Sequence, residues 1–119
     1  MHTLVRHPRC SVGLTVEMVG GKWKGVILYF LLGGTLRFNE LRKKIPGITQ
    51  RMLTLQLREL EADGLVERTV FPVVPPRVEY ALTPFGRTLE SVIRAMAEWG
   101  RDNKNRVEQL IADREPLSA

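Results

Sequence analysis

Leucines at helical spacing predict an amphipathic helix over Thr49–Asp63. Leu53, Leu57 and Leu60 are separated by four and three residues, which places them along one side of a helix. Thr49 is a favourable N-cap because its hydroxyl can accept a hydrogen bond from an early backbone N–H. Turn and stop signals flank the segment, with Pro46-Gly47 before it and Gly64 after it.

The other faces of this helix carry hydrogen-bonding and basic side chains, namely Gln50, Arg51, Thr54 and Arg58. A helix over this range is about 22 Å long at its usual rise per residue. The major groove of B-DNA admits a helix of this width. The segment is therefore a candidate DNA-recognition helix.

Two further helices are predicted nearer the N-terminus. Ser11 can cap a short helix over Val12–Val19, which Gly20-Gly21 ends. A second helix over Lys22–Leu32 has a broad apolar face, which is typical of the central helix of a core. That face consists of Trp23, Val26, Ile27, Phe30 and Leu31.

A helix-turn-helix is predicted where the recognition helix begins. Thr35–Arg37 is compatible with a very short strand, and Phe38–Ile45 predicts a short helix that buries Phe38, Leu41 and Ile45. A short helix, a tight turn containing glycine and a longer helix are the parts of this motif.

Two strands are predicted directly after the recognition helix. Leu65–Phe71 and Arg77–Leu82 are rich in β-branched and aromatic residues. Residues 72–76 contain three prolines, which cannot donate hydrogen bonds within a sheet, so they form the tip of a hairpin. A hairpin in this position predicts a winged helix-turn-helix.

An apolar stripe continues along a last long helix that begins at Thr83-Pro84. The pattern is interrupted at residues 100–105 and then resumes. This surface exceeds what one end of the helix can bury, so we expect a second copy of the chain to cover the rest. The alternative is that the stripe covers its own domain. The expected dimerisation residues are Leu89, Val92, Ile93, Met96, Trp99, Val107 and Leu110.

Together these elements predict a single, mainly α-helical domain of the α+β class, a winged helix-turn-helix with a small β-hairpin. Residues 1–10 would form an N-terminal arm and residues 11–83 the DNA-binding part. Residues 84–119 would form the C-terminal dimerisation helix.

The charge distribution favours a polyanionic partner. The 119-residue chain has a net charge of +5. Residues 37–77 carry eight Lys and Arg against five Asp and Glu, whereas residues 78–119 carry six against seven. A basic region on a small domain points most often to nucleic acid, although a solvated basic surface would give the same balance.

Several functional classes are disfavoured. No apolar run approaches the roughly 20 residues of a membrane span, and the N-terminus lacks the apolar core of a signal peptide, so we expect a cytoplasmic protein. One cysteine excludes an internal disulfide and a Cys-based zinc site. The chain lacks a recognisable catalytic set or phosphate-binding glycine loop, so we expect neither an enzyme nor a cofactor.

The expected contacts to double-stranded DNA fall into two groups. Arg51, Gln50, Thr54 and Arg58 are candidates for base edges, since Arg pairs with guanine and Gln with adenine, and Thr54 offers a hydroxyl and a methyl group that suits thymine. An alternative for Arg58 is an ion pair within its own helix. Basic residues on the preceding helix and the wing would meet phosphates, and Arg37 and Asn39 could instead cap or brace that helix. The full set is Arg37, Lys43, Lys44, Thr49, Gln50, Arg51, Thr54, Arg58 and Arg77.

Seven short stretches of the chain have an order and spacing that are jointly specific, although each motif alone is weak. They are Gly20-Gly21-Lys22-Trp23, Arg37-Phe38-Asn39-Glu40-Leu41, Pro46-Gly47-Ile48-Thr49, Leu57-Arg58-Glu59-Leu60-Glu61, Asp63-Gly64-Leu65-Val66, Val74-Pro75-Pro76-Arg77-Val78-Glu79-Tyr80 and Leu82-Thr83. Through these stretches, over about residues 10–100, the chain resembles the HxlR family of winged-helix transcriptional regulators, which are related to the MarR type. The resemblance implies a homodimeric DNA-binding protein without catalytic activity.

The resemblance also implies that some members sense oxidants or electrophiles through a cysteine near the N-terminus. Cys10 has that position, although Ser11 follows it where the family often has proline. Arg6, Arg9 and the positive end of the first helix would favour the reactive thiolate. The alternative is a small buried apolar residue.

Two functions remain to be compared. The favoured one is a sequence-specific transcriptional regulator that binds an inverted-repeat operator as a homodimer. The alternative is a winged-helix module that binds another protein and has no specific affinity for DNA. A small-molecule effector between the dimerisation helices and the core would contact Trp23, Phe30 and Met96, but core packing explains these residues equally well.

Overall fold

The structure, a computed structural model, describes residues 10–114 of the chain. These residues form seven helices and three strands, which confirms the predicted mainly helical α+β architecture. In chain order the elements are α1 (Ser11–Val19), α2 (Lys24–Leu31), β1 (Leu36–Arg37), α3 (Phe38–Lys44), α4 (Gln50–Ala62), β2 (Val66–Phe71), β3 (Arg77–Leu82), α5 (Pro84–Arg87), α6 (Glu90–Asp102) and α7 (Lys104–Arg114).

The core lies between α2, α3, α4 and the sheet. The three leucines of the predicted stripe on α4 are fully buried, so the amphipathic pattern is confirmed. Opposite them, α2 contributes Ile27, Leu28 and Leu31, none of which is more than 1% exposed. Burial of each such side chain stabilises the fold by about 1.5–3 kcal/mol.

The sheet is antiparallel and has the order β1-β3-β2. β2 and β3 form the predicted hairpin, with Val66 paired to Leu82 at one end and Phe71 to Arg77 at the other. The short segment ahead of α3 is also confirmed as a strand, because Leu36 pairs with Tyr80 of β3. The wing is thus joined to the helix-turn-helix at both ends of the motif: β1 precedes α3 and pairs with β3, and β2 follows α4 in the chain.

The two N-terminal helices differ from the prediction in their first residues. Cys10, and not Ser11, is the N-cap of α1, and its Sγ accepts a hydrogen bond from the backbone N–H of Gly13 at 3.4 Å. α2 begins at Lys24, two residues later than predicted, because Gly21–Trp23 form a turn. The predicted arm lies outside the described residues except for Cys10, and so do Arg6 and Arg9.

The C-terminal segment is not one long helix as predicted but three helices. The chain bends between α5 and α6, and again at Asn103, whose φ of −117° is not helical. The Asn103 amide donates to the Trp99 carbonyl oxygen at 3.0 Å and so caps α6. None of the helices within residues 10–114 is long and apolar enough to cross a membrane.

Thr83 ties the start of this C-terminal segment to the end of α4. Its hydroxyl donates to the Gly64 carbonyl oxygen at 2.6 Å and accepts from the Gly86 N–H at 2.9 Å. Its own N–H donates to the Leu65 carbonyl oxygen at 3.1 Å. A Cβ on Gly86 would collide with that same Leu65 carbonyl oxygen, so only glycine permits so close an approach.

Candidate nucleic-acid interface

α4 begins and ends as the sequence predicts. The Thr49 hydroxyl accepts from the Met52 N–H at 3.0 Å, which confirms it as the N-cap. Gly47 in the preceding turn has φ of 88°, and Gly64 after the helix has φ of 76°. Non-glycine residues rarely adopt these left-handed conformations, so the two glycines fix the bounds of the helix.

The outward face of α4 carries most of the predicted base-reading residues. Gln50, Arg51 and Arg58 are exposed, whereas Thr54 is half-buried and its hydroxyl donates to the Gln50 carbonyl oxygen at 2.9 Å. Within residues 10–114 neither of these arginines forms an ion pair. The alternative of an intrahelical ion pair between Arg58 and Glu61 or Asp63 therefore does not hold, and Glu61 pairs with Arg68 instead.

Acidic residues on α4 attach the helix to its neighbours instead. Glu59 Oε1 lies 2.7 Å from Lys24 Nζ on α2. Glu61 Oε1 lies 3.7 Å from Arg68 Nε on β2. Burial raises the pKa of the nearby Tyr80 hydroxyl, and the positive charge of Arg68 opposes this to a smaller extent. These ion pairs link α4 to α2 and to β2.

Further basic residues lie on α3. Arg42, Lys43 and Lys44 are exposed in its last turn, where cations also interact favourably with the helix dipole. Lys44 Nζ is 5.9 Å from the centre of the Phe30 ring. Arg37 braces the other end of α3, because its backbone N–H donates to Glu40 Oε1 at 2.8 Å. The backbone of Arg37, and not its side chain, thus makes the predicted bracing contact, and the side chain is exposed.

Arg77 contacts two other side chains of the wing, although its Nε forms no hydrogen bond within the described residues. Its guanidinium carbon lies 4.3 Å from the centre of the Phe71 ring, and its Nε lies 3.2 Å from Glu79 Oε2. Arg77 therefore sits at the base of the tip, which is formed by exposed residues such as Val74. A cleft of about 610 Å³ separates this tip from α3, with Arg37, Lys43 and Arg77 in its lining.

The predicted dimerisation residues divide into two groups. Met96, Trp99 and Leu110 are 49%, 63% and 49% exposed. Ile93 is instead buried in the core of its own protomer at 2% exposure, and Leu89 packs against that core. Val92 and Val107 are half-buried. Sequence reasoning did not assign to this set the exposed apolar residues of α1, which are Val12, Leu14 and Val16.

A recess of about 400 Å³ lies between α2 and α6. Of the three residues predicted to contact an effector, Phe30 and Met96 line this recess, together with Gly25 and Tyr29, whereas Trp23 does not. Its lining is mostly apolar side chains and helix backbone. Within residues 10–114, no cluster of three or more His, Cys, Asp or Glu side chains could hold a metal ion.

The thiol of Cys10 is exposed, so the alternative of a buried apolar cysteine is wrong for this protomer. Its Sγ faces the first turn of α1, where it accepts the hydrogen bond from Gly13. A single side chain is thereby both accessible to small reagents and engaged in capping a helix.

Comparison with known families decides the identity of this fold. The family model described as HxlR-like helix-turn-helix matches residues 18–108. The chain belongs to this family of transcriptional regulators. The match extends from the end of α1 into α7 and so includes the recognition helix, the wing and α6.

The chain is similar in sequence to named relatives and in backbone structure to solved structures. It is 59% identical over 105 residues to the HTH-type transcriptional regulator YdeP of Bacillus subtilis (strain 168), covering 88% of this chain and 82% of that protein. The reduced form of the redox regulator HypR is 56% identical, with a TM-score of 0.78 over 84% of this chain and 99% of the other. The oxidized form of HypR gives 60% identity and a TM-score of 0.76 over 79% and 97%.

Proposed function

We propose that this transcriptional regulator binds an inverted-repeat operator as a homodimer, with α4 of each protomer in a major groove. The observation that carries the proposal is the outward face of α4, where Arg51 and Arg58 are exposed and have no anionic partner within residues 10–114. Guanidinium groups displayed in this way suit guanine edges and phosphates.

The residues of the interface would have different roles. Arg51 and Gln50 lie in the first turn of α4, where they would read guanine and adenine. Arg58 would reach the same groove about two turns later, one turn beyond Thr54. The remaining basic residues and the N-terminal end of the helix would contact phosphates, which position the protein without reading sequence. These are Arg37, Lys43, Lys44, Thr49 and Arg77.

A second copy of the chain would cover the exposed apolar residues of the C-terminal helices. Trp99 is the largest of these and is 63% exposed in one protomer. Aromatic residues of this size commonly anchor protein interfaces. The protomers would then place their α4 helices about one turn of DNA apart, roughly 34 Å. In a Trp99→Glu variant, sedimentation should detect a monomer that binds the operator weakly.

The accessible thiol of Cys10 would make the regulator responsive to oxidants or electrophiles. HypR, the redox regulator to which the chain is similar, supports this proposal. The thiolate is the form that reacts. A modified sulfur would no longer accept the Gly13 N–H in the same geometry, so reaction would disturb the first turn of α1. We propose α1 as the element through which the signal reaches the rest of the protein.

Footprinting on the upstream region of the regulator's own gene, with and without diamide, tests the main proposal. We expect a symmetric protected site whose affinity falls steeply with salt, because phosphate contacts release counterions. A matched duplex of shuffled sequence controls for non-specific binding. If all duplexes bind equally weakly at low salt, the fold acts instead as a protein-interaction module.

A further inference from the structure

Leu55 is an exposed leucine in the middle of the polar face of α4. Its side chain is 46% exposed, whereas Leu53 and Leu57 are at most 1% exposed. Successive residues of a helix are rotated by about 100°. Leu55 lies two residues from both Leu53 and Leu57, so it is rotated by about 200° and points in nearly the opposite direction. It therefore lies near the centre of the outward face and contributes little to the core.

The surroundings of Leu55 are cationic. Arg51 precedes it by one turn and Arg58 follows by three residues, so all three side chains share one face. They line a shallow recess of about 630 Å³ together with Thr54. An apolar side chain between two arginines that lack anionic partners within residues 10–114 is complementary to a small apolar group on an anionic surface.

Double-stranded DNA offers such a group. The 5-methyl group of thymine is the apolar feature of the major groove, and it lies between phosphate backbones that would attract both arginines. Thr54 is a weaker candidate for this contact, because its side chain is half-buried. The leucine side chain is longer and more exposed.

We propose that Leu55 contacts the 5-methyl group of one thymine in each half-site and so determines the base preferred at that position. This inference rests on the proposed function, since it requires α4 to enter the major groove. It adds an apolar contact to the hydrogen bonds expected from the neighbouring arginines.

Replacing thymine by deoxyuridine tests the contact, because only the methyl group is lost. The probe is the tightest duplex selected by the wild-type protein from a randomised pool, with symmetric thymine pairs replaced one pair at a time. At one pair, the Kd of the wild-type protein should rise by about 4–15-fold, because two methyl groups are lost, one from each half-site. The Leu55→Ala variant should bind both duplexes with equal affinity.

Two variants serve as controls. Val26→Ala shortens an exposed apolar side chain of α2, outside the proposed DNA and dimer contacts, and should leave the preference for thymine unchanged. Thr54→Ser removes the neighbouring methyl group, keeps the hydroxyl and should also retain the preference. Thermal unfolding of Leu55→Ala should match that of the wild-type protein, because the side chain lies outside the core.

The possible failures are distinguishable. If the wild-type protein selects no duplex, the proposed function fails. If it selects a duplex but no deoxyuridine substitution weakens binding, the Leu55 contact is wrong and the regulator function stands. If Thr54→Ser abolishes the preference while Leu55→Ala retains it, the contact belongs to Thr54.

Discussion

The ammonium group of Lys24 lies 2.7 Å from the carboxylate of Glu59 and joins α2 to the recognition helix α4. The Lys24 side chain is only 16% exposed, so its charge depends on this partner more than a surface lysine would. Because α2 also packs against α6, the ion pair connects the core next to the C-terminal helices with α4, the proposed recognition helix.

A double-mutant cycle should detect this connection. Lys24→Met and Glu59→Gln are expected to show a coupling of about 0.5–1 kcal/mol in urea unfolding, since Glu59 is partly exposed and screened. The same cycle on Lys104 and Glu108, an exposed pair at 2.8 Å in α7, should give a smaller coupling. Equal couplings for the two pairs would show that the first has no special role in orienting α4.

Replacement of Arg51 should lower specific binding. Arg51→Ala is expected to cost about 1–3 kcal/mol on the operator and less on random DNA, because a lost base contact affects only the correct sequence. Lys43→Ala should weaken both equally and reduce the salt slope by about one, as a lost phosphate contact does. Fluorescence anisotropy over a salt series measures both quantities. Equal losses for Arg51→Ala on both duplexes would reassign it to phosphate.

Gly86→Ala should destabilise the fold. Its new methyl group would overlap the Leu65 carbonyl oxygen, a backbone atom that cannot rotate away. We expect a loss of about 1–3 kcal/mol in the free energy of unfolding. Gly100→Ala is the matched control, because no atom lies within 4 Å of its Cβ position in α6. That variant should be neutral or more stable by up to about 1 kcal/mol. A Gly86→Ala protein as stable as wild type would contradict the close approach.

Two substitutions at Cys10 separate its chemical role from its capping role. Cys10→Ser should retain stability, because serine is also a good N-cap for α1, while operator binding no longer responds to diamide. Cys10→Ala should lose the response and also about 0.5–1 kcal/mol of stability. Unfolding and operator binding, each with and without diamide, measure both effects. A Cys10→Ser protein that still responds to diamide would exclude the thiol as the sensor.

Local patterns were sufficient to predict the part of the fold that depends on helix periodicity. Leu53, Leu57 and Leu60 identified the buried side of α4, and Thr49 identified its start. The predicted N-cap of α1, Ser11, was wrong because serine is a common N-cap, whereas the actual cap, Cys10, is a residue type that is unusual there. The wing was found from its prolines, but the contact of Arg77 with Phe71 depends on strand register.

The remaining differences arise from tertiary contacts. A single apolar stripe cannot show which of its residues turn inward, so Ile93 was grouped with Trp99 although one is buried and the other exposed. Leu55 was missed because a leucine on an amphipathic helix is ordinarily counted with the core. Its position about 200° from Leu53 was nevertheless readable from the sequence, and this angle is the signal that could have found it.

The hydrogen bonds of Thr83 join the end of α4 directly to the start of the C-terminal segment. In the proposed dimer, the C-terminal helices would therefore set the distance between the two α4 helices. An insertion within α6 would alter how many base pairs separate the two half-sites while leaving the bases read within each half-site the same.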